Sequence, residues 1–169
     1  EYVDIFIPTK DRPIQLHLLF DGINRHLKGI GKITVCFQAS DRDFHAGYKL
    51  LEKRLKKDKY FENIRQHSKS ISFIERTTLT EVYDGIQDSG DSDYILQFAD
   101  DEVIIRDYDL AKAPASKEFF ENDNIMVCAI RLGNNLTEQL SWTTDDISLN
   151  DRPRGHVTSL ISTGKPNFV

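Results

Sequence analysis

Short apolar runs alternate with amphipathic stretches along most of the chain. Val3-Asp4-Ile5-Phe6-Ile7 reads as a strand that ends at Pro8-Thr9-Lys10. Asp11-Arg12-Pro13 then opens a helix, with Asp11 placed to cap it and Pro13 suited to its first turn. Leu16, Leu19, Phe20, Ile23 and Leu27 recur at helical spacing and predict the face turned toward a sheet. Gly29 and Gly31 mark the exit, and Lys32-Ile33-Thr34-Val35-Cys36-Phe37 reads as a second strand that runs out into Ala39-Ser40-Asp41-Arg42-Asp43. Strand, helix and strand within about 40 residues make a βαβ unit, which requires parallel pairing and a right-handed crossover.

From Ala46 to Arg65 the spacing predicts a helix, with Leu51 and Leu55 one turn apart. Ile71-Ser72-Phe73-Ile74 is a third short strand. Thr80 is placed to cap a helix over Glu81–Gln87 with Val82 and Ile86 inward, and Gly90 to Asp93 is a polar turn. Tyr94-Ile95-Leu96-Gln97-Phe98 is too short for a helix and has the content of a buried strand. It drives into Asp100-Asp101-Glu102, and Val103-Ile104-Ile105 follows. Asp109–Asn122 is helical in composition but bent or delayed by Pro114. Ile125 to Ile130 reads as a buried strand and Val157–Ile161 as one more. The alternation predicts an α/β protein, a single three-layer domain over 1–169 with a mostly parallel central sheet.

Composition narrows the function classes. At 39% hydrophobic and 29% charged residues the chain is that of a folded globular protein. No apolar run approaches the roughly 20 residues of a membrane-spanning helix. The chain begins on Glu1 and enters a strand within two residues, which reads as a domain cut from a longer chain. A net charge of -5 argues against nucleic acid as the main partner. Cys36 and Cys128 fall inside apolar runs with no zinc spacing, which fits a reducing, cytoplasmic setting. Against the acidic whole, Lys49–Arg65 carries seven Lys/Arg and three acidic residues. Such a stretch is either a solvated face or a peripheral contact with an anionic membrane, here at its inner face.

Three adjacent carboxylates at a strand end repel one another and are costly to desolvate unless a cation joins them. The plainer reading is an acidic turn between two strands. In an open α/β sheet ligands bind beyond the carboxyl ends of the strands. Three such ends carry polar residues here: Thr9-Lys10-Asp11-Arg12, Ser40-Asp41 and Asp100-Asp101-Glu102. If the strands are parallel, all three line one rim. Cations beside carboxylates on that rim suit a phosphate ester carrying Mg²⁺ or Mn²⁺, which one or two carboxylates and the substrate's phosphates would hold. No glycine-rich phosphate loop accompanies them.

Ile7-Pro8-Thr9 after the first strand, Ser40-Asp41 after the second and Tyr94-Ile95-Leu96 followed by Asp100-Asp101 together resemble a GT-A glycosyltransferase, family-2-like. Ile130-Arg131-Leu132-Gly133-Asn134-Asn135 is similar to a segment of its small bacterial members, so the likeness covers roughly residues 3–137. The resemblance implies a sugar moved from a nucleotide-diphosphate donor, UDP-linked, to a hydroxyl acceptor on a glycan or lipid carrier, as in surface polysaccharide synthesis. Residues 1–105 would bind the donor and 106–169 form a partial acceptor side. Thr9 and Asp41 would contact the base, Asp100 the ribose, and Asp101 the Mn²⁺ or Mg²⁺ ion, with Lys10, Arg12 or Arg76 against the phosphates. An inverting member needs a catalytic base, for which Asp145 and Asp146 are the candidates, although they read equally as an exposed acidic turn. Thr9 also reads as a turn residue and Asp41 as a helix cap. Two other functions share these features: a silent sugar-nucleotide-binding or scaffold domain, and a sugar nucleotidyltransferase.

Overall fold

The computed structural model describes residues 2–85, 92, 94–113, 117 and 120–121, and the backbone of Val127–Ala129 and Ser159–Ser162. In chain order the elements are β1 (Val3–Lys10), α1 (Pro13–His26), β2 (Leu27–Lys28), β3 (Ile30–Gln38), α2 (Arg42–Lys57), a 3₁₀ turn (Lys59–Phe61), α3 (Glu62–His67), β4 (Ser70–Glu75), α4 (Leu79–Asp84), β5 (Tyr94–Gln97), β6 (Tyr108–Asp109), β7 (Val127–Ala129) and β8 (Ser159–Ser162). The main sheet runs β4-β3-β1-β5-β8-β7. Its first four strands are parallel, and β8 is antiparallel to both β5 and β7. Helices cover both faces, so the α/β expectation of a three-layer domain with a mostly parallel sheet describes the molecule.

The period-two alternation of β1 sorts the layers. Val3, Ile5 and Ile7 join Leu16, Leu19, Phe20 and Ile23 of α1, Leu51 and Leu55 of α2, and Ile64 of α3 in one core. Phe6 turns the other way, onto Cys36, Ile95 and Val82 of α4. All five residues at helical spacing near α1, Leu27 included, are buried.

Three local expectations are corrected. Asp11 does not cap α1: Arg12 holds the cap position without a side-chain bond, and Asp11 itself sits at φ 55°. The helix expected over 46–65 starts at Arg42 and breaks at Asp58, whose backbone is extended and whose carboxylate accepts from the Tyr60 amide. An unbroken helix would turn Phe61 and Ile64 away from the side of Leu51 and Leu55; the break lets both be buried. Thr78, not Thr80, caps α4 in a capping box with Glu81.

Past β5 the chain turns at Asp100-Asp101 and runs back along α1. Gly22 admits the Ile104 backbone, where an added Cβ would lie 3.2 Å from its nitrogen. Val103 and Ile105, read as part of an apolar triplet, are exposed. β6 then pairs with β2 in a second, two-stranded sheet.

Candidate functional site

The parallel strands follow one another as β1, β3, β4 and β5, yet stand in space as β4-β3-β1-β5. The chain steps outward from β1 to β4 and then returns to the other side of β1, so the strand order reverses between β1 and β5. Beyond the carboxyl ends at such a reversal the loops diverge and leave a crevice. Here those ends are Thr9 to Arg12 and Asp100 to Asp101.

Thr9 is buried, and its hydroxyl donates to Asp100 Oδ2 at 2.7 Å. That hydroxyl also lies 2.9 Å from the phenol oxygen of Tyr48, on α2. Thr9 has a single proton and gives it to the carboxylate, so the Tyr48 hydroxyl is the donor to Thr9. The Arg12 backbone N–H in turn donates to Tyr48 at 2.9 Å. A one-directional chain therefore runs from the Arg12 amide through Tyr48 and Thr9 to Asp100. The Arg12 guanidinium closes the circuit, with Nη1 3.3 Å from Asp100 Oδ1 and 3.6 Å from Asp101 Oδ2. Burial pushes the Tyr48 phenol above its ordinary value, which keeps it a donor. Its ring packs at 4.4 Å against Phe37.

The turn that delivers Arg12 is built by Asp11. Its left-handed conformation costs about 1 kcal/mol in a non-glycine residue, and two bonds offset it. The Asp11 amide donates to the Gln38 carbonyl at 3.2 Å, and Asp11 Oδ1 accepts from the Ser40 amide at 2.7 Å. These bonds tie the ends of β1 and β3 together and fold Arg12 back over Thr9.

Of the sequence-read site residues, Thr9, Arg12, Asp100 and Asp101 form one contact network. Asp41 lies at the neighbouring strand end, where its Oδ1 caps α2 by accepting from the Asp43 and Phe44 amides. Lys10 is exposed at the last position of β1. Arg76 follows β4, at the edge of the parallel set, and its amide donates to the Phe37 carbonyl. Asp145 and Asp146 lie outside the described residues, as does the segment 130–135. Tyr48 escaped the sequence reading, and Asp11 was read there as a helix cap and not as the tie between two strand ends. A tyrosine three positions before Leu51 reads as packing, and no local signal ties it to Thr9, 39 positions away.

The two carboxylates differ in access. The Asp100 side chain is 9% exposed and engaged by Thr9 and Arg12, whereas that of Asp101 is 59% exposed. Their oxygens are hard donors of the kind Mg²⁺ and Mn²⁺ take, and the Arg12 cation between them marks where positive charge is stabilised. Among the described residues no three His, Cys, Asp or Glu side chains are grouped to hold a metal. An ion here would take one or both carboxylates and complete its shell from water and substrate.

No protein-family model matches the chain, and no curated protein matches it. Among solved structures, the apo-form glycosyltransferase GlyE of Streptococcus pneumoniae TIGR4 is similar at 13% identity and a TM-score of 0.46. The likeness covers 96% of this chain and 34% of that one, so the chain spans about a third of that protein's length. Similarity of this degree carries no statement about activity.

Proposed function

We propose that the rim binds a nucleotide-diphospho-sugar with Mn²⁺ or Mg²⁺ and that the protein is a GT-A-type glycosyltransferase using a UDP-linked donor. One observation carries the reading: at the reversal of strand order, two separate strand ends contribute a guanidinium and an acid pair to a single network of hydrogen bonds and ion pairs. A diphosphate needs both kinds of group at once. Arg12 matches phosphate oxygens, and the acid pair matches the counter-ion that a diphosphate carries.

In this reading Asp101, the more open carboxylate, holds the metal ion, and the ion when bound offsets charge on the diphosphate leaving group. Asp100, oriented by Thr9, meets the ribose. Thr9, being buried, acts by aiming Asp100, which revises its expected contact with the base. Arg12 would meet the phosphates, with Lys10 and Arg76 as the further cations of the rim. Asp41 would accept from a uracil N–H, using oxygen capacity not spent on the α2 cap. Transfer to a hydroxyl of a glycan or lipid-linked acceptor then requires a base, the role proposed for Asp145 or Asp146.

Calorimetric titration with UDP and GDP, each with Mn²⁺ and with EDTA, tests the reading on the wild type and Asp101→Ala. The expected result is metal-dependent binding of UDP, weakened about tenfold or more in the variant. A folded sample that binds neither nucleotide overturns it.

A further inference from the structure

We propose that the outer face of α1 and α2 docks on an anionic lipid bilayer. The outward stripe of α2 consists of Ala46, Leu50, Lys53 and Lys57, all exposed and at helical spacing. On the neighbouring α1, Ile14 and Leu18 are one turn apart. Ile14 is 74% exposed, Leu18 58% and Leu50 60%. Ile14 and Leu50 line a shallow groove of about 150 Å³ together with Pro13, His17, Leu51 and Arg54. Burial and the nearby Arg54 hold His17 below its ordinary value, so its imidazole adds no charge to the groove at neutral pH.

Charge chooses the occupant. α2 carries six Lys/Arg against Asp43 and Glu52, a surplus of four on one helix of a chain whose net charge is -5. Glu52 is occupied by Lys49 and Lys56, and Asp58 by Arg54. Lys53 and Lys57 have no acidic partner among the described residues. Apolar side chains with two unneutralised lysines on the same helix stripe match a bilayer interface, where the apolar groups enter the acyl boundary and the ammonium groups meet anionic headgroups. An apolar protein partner would leave the lysines unanswered. The break at Asp58 limits the membrane-facing helix to α2, shorter than the 49–65 stretch first read as basic. Pro13 and Ile14 directly follow Arg12, so docking brings the Arg12 side of the rim to the membrane. The docking stands independently of the nucleotide reading.

Co-sedimentation of the full chain with lipid vesicles tests it. Vesicles of phosphatidylcholine alone are compared with vesicles containing about a third phosphatidylglycerol, at low and at high salt. Binding is expected only to the anionic vesicles and only at low salt. Lys53→Glu with Lys57→Glu should lower it by more than tenfold, at about fivefold or more per lysine. Ile14→Ser with Leu50→Ser should also lower it, with thermal unfolding unchanged in both variants because all four positions are exposed. Failure of the folded wild type to bind anionic vesicles overturns the proposal, as does binding that neither variant weakens. A concentration-dependent dimer in sedimentation velocity, lost in the serine variant, overturns it in favour of a second copy on this face.

Discussion

Asp4 and Asp100 lie at opposite ends of the β1–β5 seam, both largely buried, and each is satisfied in a different way. Asp4 sits where the β1–β3 register slips, with Val3 opposite Ile30 but Ile5 opposite Ile33. The bulge leaves the Lys32 amide without a ladder partner, and Asp4 Oδ1 accepts from it at 2.7 Å, while Oδ2 accepts from the Ser92 amide at 3.0 Å. Both named donors are backbone. Asp100 is held by a threonine hydroxyl and by a guanidinium that is half exposed. A carboxylate fixed by main chain cannot exchange its partners without unfolding the strand that supplies them. A carboxylate fixed by side chains can exchange one of them for a ligand. The first arrangement staples the sheet; the second is suited to a site.

Substitutions that separate the two ends test this contrast, and the largest effect belongs to the staple. A Cβ at Gly31 would lie 2.1 Å from Asp4 Oδ1. Gly31→Ala must therefore expel the carboxylate and leave two half-buried amides unpaired, costing about 3 kcal/mol in urea unfolding. Asp4→Asn keeps the shape but turns a donor toward an amide donor, with an expected loss of about 2 kcal/mol. Asp100→Asn should cost less than about 1 kcal/mol, because the Thr9 hydroxyl keeps an acceptor and the lost pair involves a half-exposed Arg12. Equal losses at the two aspartates would break the comparison.

Arg12→Gln sharpens it from the other side. Stability should change by less than about 0.5 kcal/mol, since the guanidinium is 51% exposed. Binding of UDP with Mn²⁺ in calorimetry should fall about tenfold, a loss near 1.4 kcal/mol. A variant that lost stability and kept its nucleotide would make Arg12 a structural partner of Asp100 and nothing more.

The same contrast explains what the sequence disclosed. Strands β1, β3 and β5 and the inward face of α1 were legible because apolar spacing is a local signal. So was the polar character of the rim, since Thr9, Arg12, Asp100 and Asp101 end strands whose parallel pairing a βαβ unit predicts. Thr78-Leu79-Thr80-Glu81 carried a readable capping box, and Thr80 was the wrong choice within it. The break at Asp58 was masked by a lysine-rich stretch whose composition stays helical on both sides. Insertion of β8 between β5 and β7 is a matter of long-range pairing that no local pattern encodes. Asp4 read as one polar position in an apolar strand; its meaning lies in a bulge on another strand. Tyr48 was hidden for the same reason, since its function is a contact rather than a spacing.

Tyr48→Phe is the finest test of how the rim is held. The ring keeps its packing on Phe37, and Thr9 keeps its bond to Asp100; the Arg12 amide loses its acceptor and the Thr9 hydroxyl loses a donor. The expected cost is about 1 kcal/mol at neutral pH. Its pH dependence has a definite sign. Burial raises the folded-state value of Tyr48 above the ordinary 10.0. The hydroxyl's contribution is therefore fully present below about pH 10 and is lost as pH rises toward the folded value, because the unfolded chain releases the proton first. Urea unfolding of wild type and variant across that range should show the wild type's advantage shrinking with alkalinity. In amide spectra the Arg12 N–H should move upfield and exchange faster in the variant. An advantage that stayed constant with pH, beside an unmoved Arg12 amide, would reduce Tyr48 to a packing residue and leave Asp100 aimed by Thr9 alone.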